Sequence, residues 1–154
     1  MKIVFASHNQ KKAAEIRSVL PTGMSLLTLH DLELGEEITE NEPTIEGNSA
    51  FKANWVLQRF GLPCFADDTG LEVAALNGAP GVHSARYAGT ERSDEANMNK
   101  LLAALKDSSD RSAQFKTVIT YCDATTSEQF TGVVRGLIAT EKSGTEGFGY
   151  DPIF

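Results

Sequence analysis

No stretch of about 18 consecutive apolar residues occurs in this sequence, so no segment is suited to cross a bilayer as a helix. The apolar opening Ile3-Val4-Phe5-Ala6 is too brief for the core of a secretory signal, and cytoplasmic residence is the default expectation. Cysteine is scarce. Cys64 and Cys122 lie in separate apolar, strand-like stretches without metal-ligand spacing, and read as buried free thiols in preference to a disulfide. The three histidines, His8, His30 and His83, are equally scattered. Positive charge is in deficit: 14 basic residues face 21 acidic ones, and a net charge of −7 repels a nucleic-acid backbone. A small phosphorylated ligand is still admitted, because a few lysines, backbone amides and a cation can make a locally positive pocket inside an acidic protein. Repeats and low-complexity tracts are missing. So is a Gly-x-Gly-x-x-Gly after the first strand, which argues against a doubly wound dinucleotide fold.

What is present is enough for one domain with a real core: 154 residues, 41% hydrophobic and 23% charged. Lys2 to Ala6 reads as a short buried strand and Lys11 to Leu20 as a helix with Ala13, Ile16, Val19 and Leu20 inward. Their link, Ser7-His8-Asn9-Gln10, is built of small and cap-forming residues that expose helix N-terminal amides, a setting that favours phosphate oxygens; Lys11 and Lys12 add charge there. The same composition is also ordinary strand-to-helix punctuation. Met24 to Leu29 reads as a second strand, and the acidic Asp31 to Glu42 stretch as a loop. Thr44 can cap a helix running to about Phe60, on which Asn48 and Lys52 stand one turn apart on one face, as a ligand-facing pair or as a solvated polar stripe.

Gly78 to Gly81 reads as a turn, Ser84 to Gly89 as an irregular loop, and Ser93 to Leu105 as an amphipathic helix with Met98, Leu101, Leu102 and Leu105 inward. Ala113 to Cys122 and Gln129 to Ala139 alternate around Asp123 to Glu128 in the manner of an antiparallel hairpin. Parallel-type units early and antiparallel strands late predict an α/β fold, a mixed, extended sheet flanked by helices in two lobes. Ile153-Phe154 reads as the start of a further strand, so the sequence is expected to be C-terminally incomplete.

Chemistry concentrates at Asp67-Asp68, placed where the apolar run Leu62 to Ala66 meets Thr69-Gly70. Alternation along a strand keeps neighbouring aspartates from sharing one task, so one is expected to face a cleft and the other to brace a turn. A carboxylate at such an edge can bind a divalent cation and position water, or close an Asx-type turn. Near the end, Gly147-Phe148-Gly149-Tyr150-Asp151 combines a loose backbone with two rings, which suits a planar ligand or a Gly-rich turn with its rings in the core.

Five segments occur in order: Ser7-His8-Asn9 with Lys12 and Glu15; Asn48 with Lys52-Ala53; Ala66-Asp67-Asp68-Thr69-Gly70-Leu71; Gly78-Ala79-Pro80-Gly81-Val82 with Ser84-Ala85-Arg86-Tyr87-Ala88-Gly89; and Gly147 to Pro152. Together they resemble the inosine triphosphate pyrophosphatase family, also called dITP/XTP pyrophosphatases. The resemblance spans essentially the whole sequence. It implies a magnesium-dependent, homodimeric hydrolase that converts dITP, ITP or XTP to the monophosphate and pyrophosphate and so cleans the nucleotide pool. By position, it implies Asp68 as proton acceptor and Mg2+ ligand, with Glu40 as second carboxylate near the ion. It places Ser7, His8, Asn9, Gln10, Lys11, Lys12 and Lys52 on the triphosphate with Thr69 beside them, Asn48 among the substrate-binding residues, and Phe148, Gly149, Tyr150 and Asp151 on the base, with Phe148 stacking; Arg86 belongs to the loop motif. Relatives tend to carry paired glutamates where Thr39-Glu40 stands here, and they continue past Asp151-Pro152 to a lysine and a serine-histidine-arginine segment that meets the purine. Two rival readings are a pyrophosphatase for modified pyrimidine triphosphates and a non-catalytic nucleotide-binding module.

Overall fold

A computed structural model describes residues 1–154. The chain forms six strands and three α-helices: β1 (Lys2–Phe5), α1 (Gln10–Val19), β2 (Ser25–Thr28), α2 (Ile45–Phe60), β3 (Cys64–Val73), β4 (Pro80–Gly81), α3 (Asp94–Ala104), β5 (Ser112–Cys122) and β6 (Ser127–Leu137). The sheet is mixed, in the order β2-β1-β3-β5-β6, with β4 paired to β3. β1 runs parallel to β2 and to β3, whereas β3 and β4 are antiparallel.

Residues divide into two compact units, Met1–Asp68 with Val118–Thr131, and Thr69–Thr117 with Gly132–Phe154. In the first, two apolar clusters form on opposite faces of β1 and β3. Val4, Ala6, Cys64 and Ala66 pack with Ala53 and Val56 of α2, while Ile3, Phe5 and Phe65 pack with Ala13 and Ile16 of α1. The two-residue periodicity of the strands sorts these side chains between the faces. The Cys64 and Cys122 thiols are free, buried and 3.4 Å apart in the α2 cluster. In the second unit, Leu71 and Val73 pack with Met98, Leu101 and Leu105, Tyr150 and Ile153. That is the stripe expected of the third helix.

Helix ends follow local chemistry. The Asn9 side chain accepts from the Lys12 amide at 3.1 Å, Thr44 from Gly47 at 3.0 Å and Ser93 from Ala96 at 3.2 Å, each satisfying an otherwise orphaned first-turn N–H. Gly61 closes α2 at φ +65°, where a side chain would be strained. The β5–β6 turn is organised by Asp123, whose carboxylate accepts from the Thr125 backbone and hydroxyl, the Tyr121 hydroxyl and the Thr126 amide. The Thr125 amide leads in holding its pKa down, to about 2.

Two expectations fail. Thr69-Gly70 is no turn: β3 runs unbroken from Cys64 to Val73, because both of its ends are apolar and gain partners, β1 at one and β4 at the other. Nor do the last residues extend as a strand. Asp151–Ile153 is a single 3₁₀ turn, with Pro152 in its first positions and Ile153 buried.

Candidate active site

Unbroken strand geometry sends Asp67 and Asp68 to opposite faces. Asp68 shares the face of Cys64 and Ala66, under α2; Asp67 shares the face of Phe65, beside α1. On the α2 side, Asn48 donates from its amide to the Asp68 carboxylate at 3.3 Å and accepts the Glu42 backbone N–H at 3.0 Å. Lys52, one turn along, places its ammonium 2.5 Å from Glu40 and 4.0 Å from Asp68. The Asn48–Lys52 stripe is therefore not solvated: Asn48 is 1% and Lys52 9% exposed. A buried polar stripe needs partners. Glu40, Glu42 and Asp68 supply them, and the acidic loop is thereby fastened to α2.

On the α1 side, the ammonium of Lys12 pairs directly with Asp67. The register explains the meeting, since β1 ends with Phe5 opposite Phe65, and the Ser7–Asn9 link begins beside the next strand positions. Ser7 accepts the Asn9 amide at 3.1 Å, Asn9 caps α1, and a ring nitrogen of His8 lies 3.0 Å from the Glu36 carbonyl. Gln10 and Lys11 open the helix. Each cluster thus sets a lysine ammonium against carboxylate: Lys12 against Asp67 beside α1, and Lys52 against Glu40 and Asp68 beside α2.

The remaining expected residues belong to the second unit. Thr69 shares a hydrogen bond with Thr117 at 2.9 Å, and Arg86 ends a 3₁₀ turn, Ser84–Arg86. Phe148 is 41% exposed. Its backbone N–H donates to Asp151 at 2.8 Å, and the Gly149 N–H donates to Asp94 at 2.9 Å. Tyr150 is turned inward at 5% exposure, its hydroxyl donating to the Ser84 carbonyl at 2.7 Å. Burial pushes that hydroxyl well above the ordinary tyrosine range. Its ring serves the core of this unit, whereas Phe148 is the exposed aromatic of the pair. Sequence reasoning overlooked Asp67 as the partner of Lys12. Its parity with Phe65 along β3 was the available signal.

Nowhere do three or more His, Cys, Asp or Glu side chains converge into a cage for a metal. Two carboxylates around Lys52 nevertheless form a hard-oxygen donor set of the kind that holds Mg2+ jointly with substrate phosphates and water.

The Ham1 family profile matches residues 3–154. A dITP/XTP pyrophosphatase from Flavobacterium johnsoniae is 56% identical over 154 residues, covering 100% of this chain and 80% of that protein. Among solved structures, the Staphylococcus aureus Ham1 protein superposes with a TM-score of 0.92 at 42% identity, and a HAM1 protein from Coxiella burnetii with 0.93 at 41%; each covers 100% of this chain and 80% or 81% of its own. A profile match over nearly every residue, with the same fold at such identities, makes this chain a member of the Ham1 family.

Proposed function

We propose that this protein is a nucleoside triphosphate pyrophosphatase that converts dITP, ITP and XTP to the monophosphate and pyrophosphate. The observation that carries the reading is the Asn48–Asp68–Lys52–Glu40 cluster, in which a partly buried carboxylate is held by an amide while an ammonium stands within reach. The substrate class rests on the dITP/XTP pyrophosphatases this chain is similar to.

Cleavage at the innermost phosphorus needs a water stripped of its proton, charge neutralisation on the departing pyrophosphate, and fixed orientation. Asp68 accepts the proton of the attacking water. Asn48 keeps the carboxylate aimed, since its own carbonyl is anchored by the Glu42 amide. Lys52 and Lys12 exchange their carboxylate partners for phosphate oxygens, and the first-turn amides of α1 with Ser7 and Asn9 bind the far end of the triphosphate. Asp68 and Glu40 would hold Mg2+, which would supply charge neutralisation on the phosphates and activation of water. Preference for the base is assigned to Phe148, Gly149 and Asp151 on the family resemblance alone; the expected Tyr150 contact is withdrawn, because its ring is turned into the core. A homodimer working in the cytoplasm completes the proposal.

The test is pyrophosphate release from dITP and XTP, compared with dATP and dUTP, with and without magnesium. Release from the inosine and xanthosine substrates, abolished by EDTA and restored by Mg2+, is the expected result. Equal turnover of all four nucleotides, or none of any, would refute it.

A further inference from the structure

Within the first unit, a buried polar chain stands outside the proposed hydrolytic chemistry. Ser49 stands on α2 between Asn48 and Lys52, fully buried, and donates its hydroxyl proton to the Ala66 carbonyl of β3 at 3.1 Å. Its oxygen also lies 2.8 Å from the hydroxyl of Thr120 in β5, which is buried as completely. A serine hydroxyl has a single proton. With that proton given to Ala66, Thr120 must be the donor to Ser49, which leaves the Thr120 oxygen to accept from the Gln129 side-chain amide at 2.9 Å. The same Gln129 amide reaches the Glu46 carbonyl in the first turn of α2, at 3.0 Å. Donation therefore runs one way, from β6 through β5 and α2 to β3, and every hydroxyl on the path is used both as donor and as acceptor.

The end point matters. Ala66 is two residues before Asp68 on the same face of β3, and Ser49 follows Asn48, whose amide holds that carboxylate. We propose that the Thr120–Ser49–Ala66 hydrogen-bond chain is a positioning device for the hydrolytic reaction, fixing the separation and rotation of α2 over β3 so that Asn48 and Lys52 meet Asp68. Apolar packing of Ala53 and Val56 holds the helix against the strand, but its attraction is non-directional and constrains rotation less sharply than a hydrogen bond does. A hydrogen bond loses strength steeply with misalignment. The inference rests on the pyrophosphatase reading and adds two residues, Ser49 and Thr120, that touch neither substrate nor ion.

The experiment compares Thr120→Val, which keeps the shape and removes the hydroxyl that donates to Ser49 and accepts from Gln129, with Thr120→Ser, which keeps the hydroxyl, and with Ser49→Ala, using pyrophosphate release from dITP and thermal melting. Thr120→Val and Ser49→Ala are expected to lower kcat at least tenfold with KM within twofold of the parent and melting still cooperative, while Thr120→Ser stays within twofold in both constants. Equal kcat in the valine and serine variants overturns the proposal. So does loss of cooperative melting in Thr120→Val, which would make the bond a requirement of folding instead of alignment. A parent protein that releases no pyrophosphate overturns the pyrophosphatase reading itself, and is seen before any variant is made.

Discussion

Asp67 and Asp68, neighbours in β3, serve opposite faces of the sheet: Asp67 pairs with Lys12 of α1, and Asp68 receives the Asn48 amide of α2 at 3.3 Å. A carboxylate under one helix cannot stand in for a carboxylate under the other, so the two aspartates have separable effects.

Replacing Asp68 by Asn removes the proposed proton acceptor and keeps the shape. Turnover of dITP is expected to fall on the order of 10² to 10⁴-fold, the usual contribution of a general base, with the melting temperature little changed. Asp67→Asn, which leaves Asp68 and Asn48 in place, is expected to cost less in kcat and more in KM, through misplaced Lys12. Steady-state kinetics on both variants checks this; a near-normal Asp68→Asn enzyme refutes the assignment.

Glu40 lies 2.5 Å from Lys52 and supplies the second carboxylate of the proposed Mg2+ site. Glu40→Gln is expected to raise the magnesium concentration for half-maximal activity by about tenfold or more, equivalent to about 1.4 kcal/mol of ion binding. An unchanged magnesium titration would remove Glu40 from the ion.

Burial raises the pKa of both Cys64 and Cys122, and for each it is the leading cause. The folded state then keeps protons that the unfolded state releases above the ordinary thiol value of about 8.5. Stability therefore holds below that pH and declines as pH climbs beyond it, since there the unfolded state binds fewer protons. Urea titrations from pH 7 to 10 should show the decline, and Cys64→Ala/Cys122→Ala should reduce its steepness. In the native state at neutral pH, neither thiol should react with a thiol reagent at the rate seen in urea.

Gly147 adopts φ +80°, and a methyl group there would land on the Asp151 carboxylate that accepts the Phe148 amide. Gly147→Ala is expected to destabilise by at least about 1–2 kcal/mol from backbone strain alone, with the clash added. Equilibrium unfolding measures the loss, and an unchanged midpoint would show that the loop relaxes freely.

Much of this architecture could be read from local pattern. The periodicity of α2 put Asn48 and Lys52 on one face, and caps at Asn9, Thr44 and Ser93 formed where the side chains allowed. Two neighbouring strands also form where the alternation suggested them, Ser112–Cys122 and Ser127–Leu137, the second beginning and ending two residues earlier than expected and lying almost wholly exposed. The misread points share a cause. Thr69-Gly70 looks like a turn locally, but β1 and β4 pair with β3 on either side of it and hold the strand straight through. Ile153-Phe154 looks like a strand, yet Ile153 enters the α3 core and Phe154 packs edge-on to Phe115 with its ring over Gly136.

Sequence alone determined which residues are chemically able to act here: the order of five motifs, the paired aspartates, and two lysines in a chain otherwise rich in acid. Each follows from side-chain identity and short-range spacing, which persist in the unfolded chain. Tertiary structure decided which amine meets which carboxylate. Lys12 and Asp67 are 55 positions apart, Asn48 and Asp68 20, so their encounters depend on parallel pairing of β1 with β3 and on the helices that pack against the two faces. Strand alternation then assigned one aspartate to each helix.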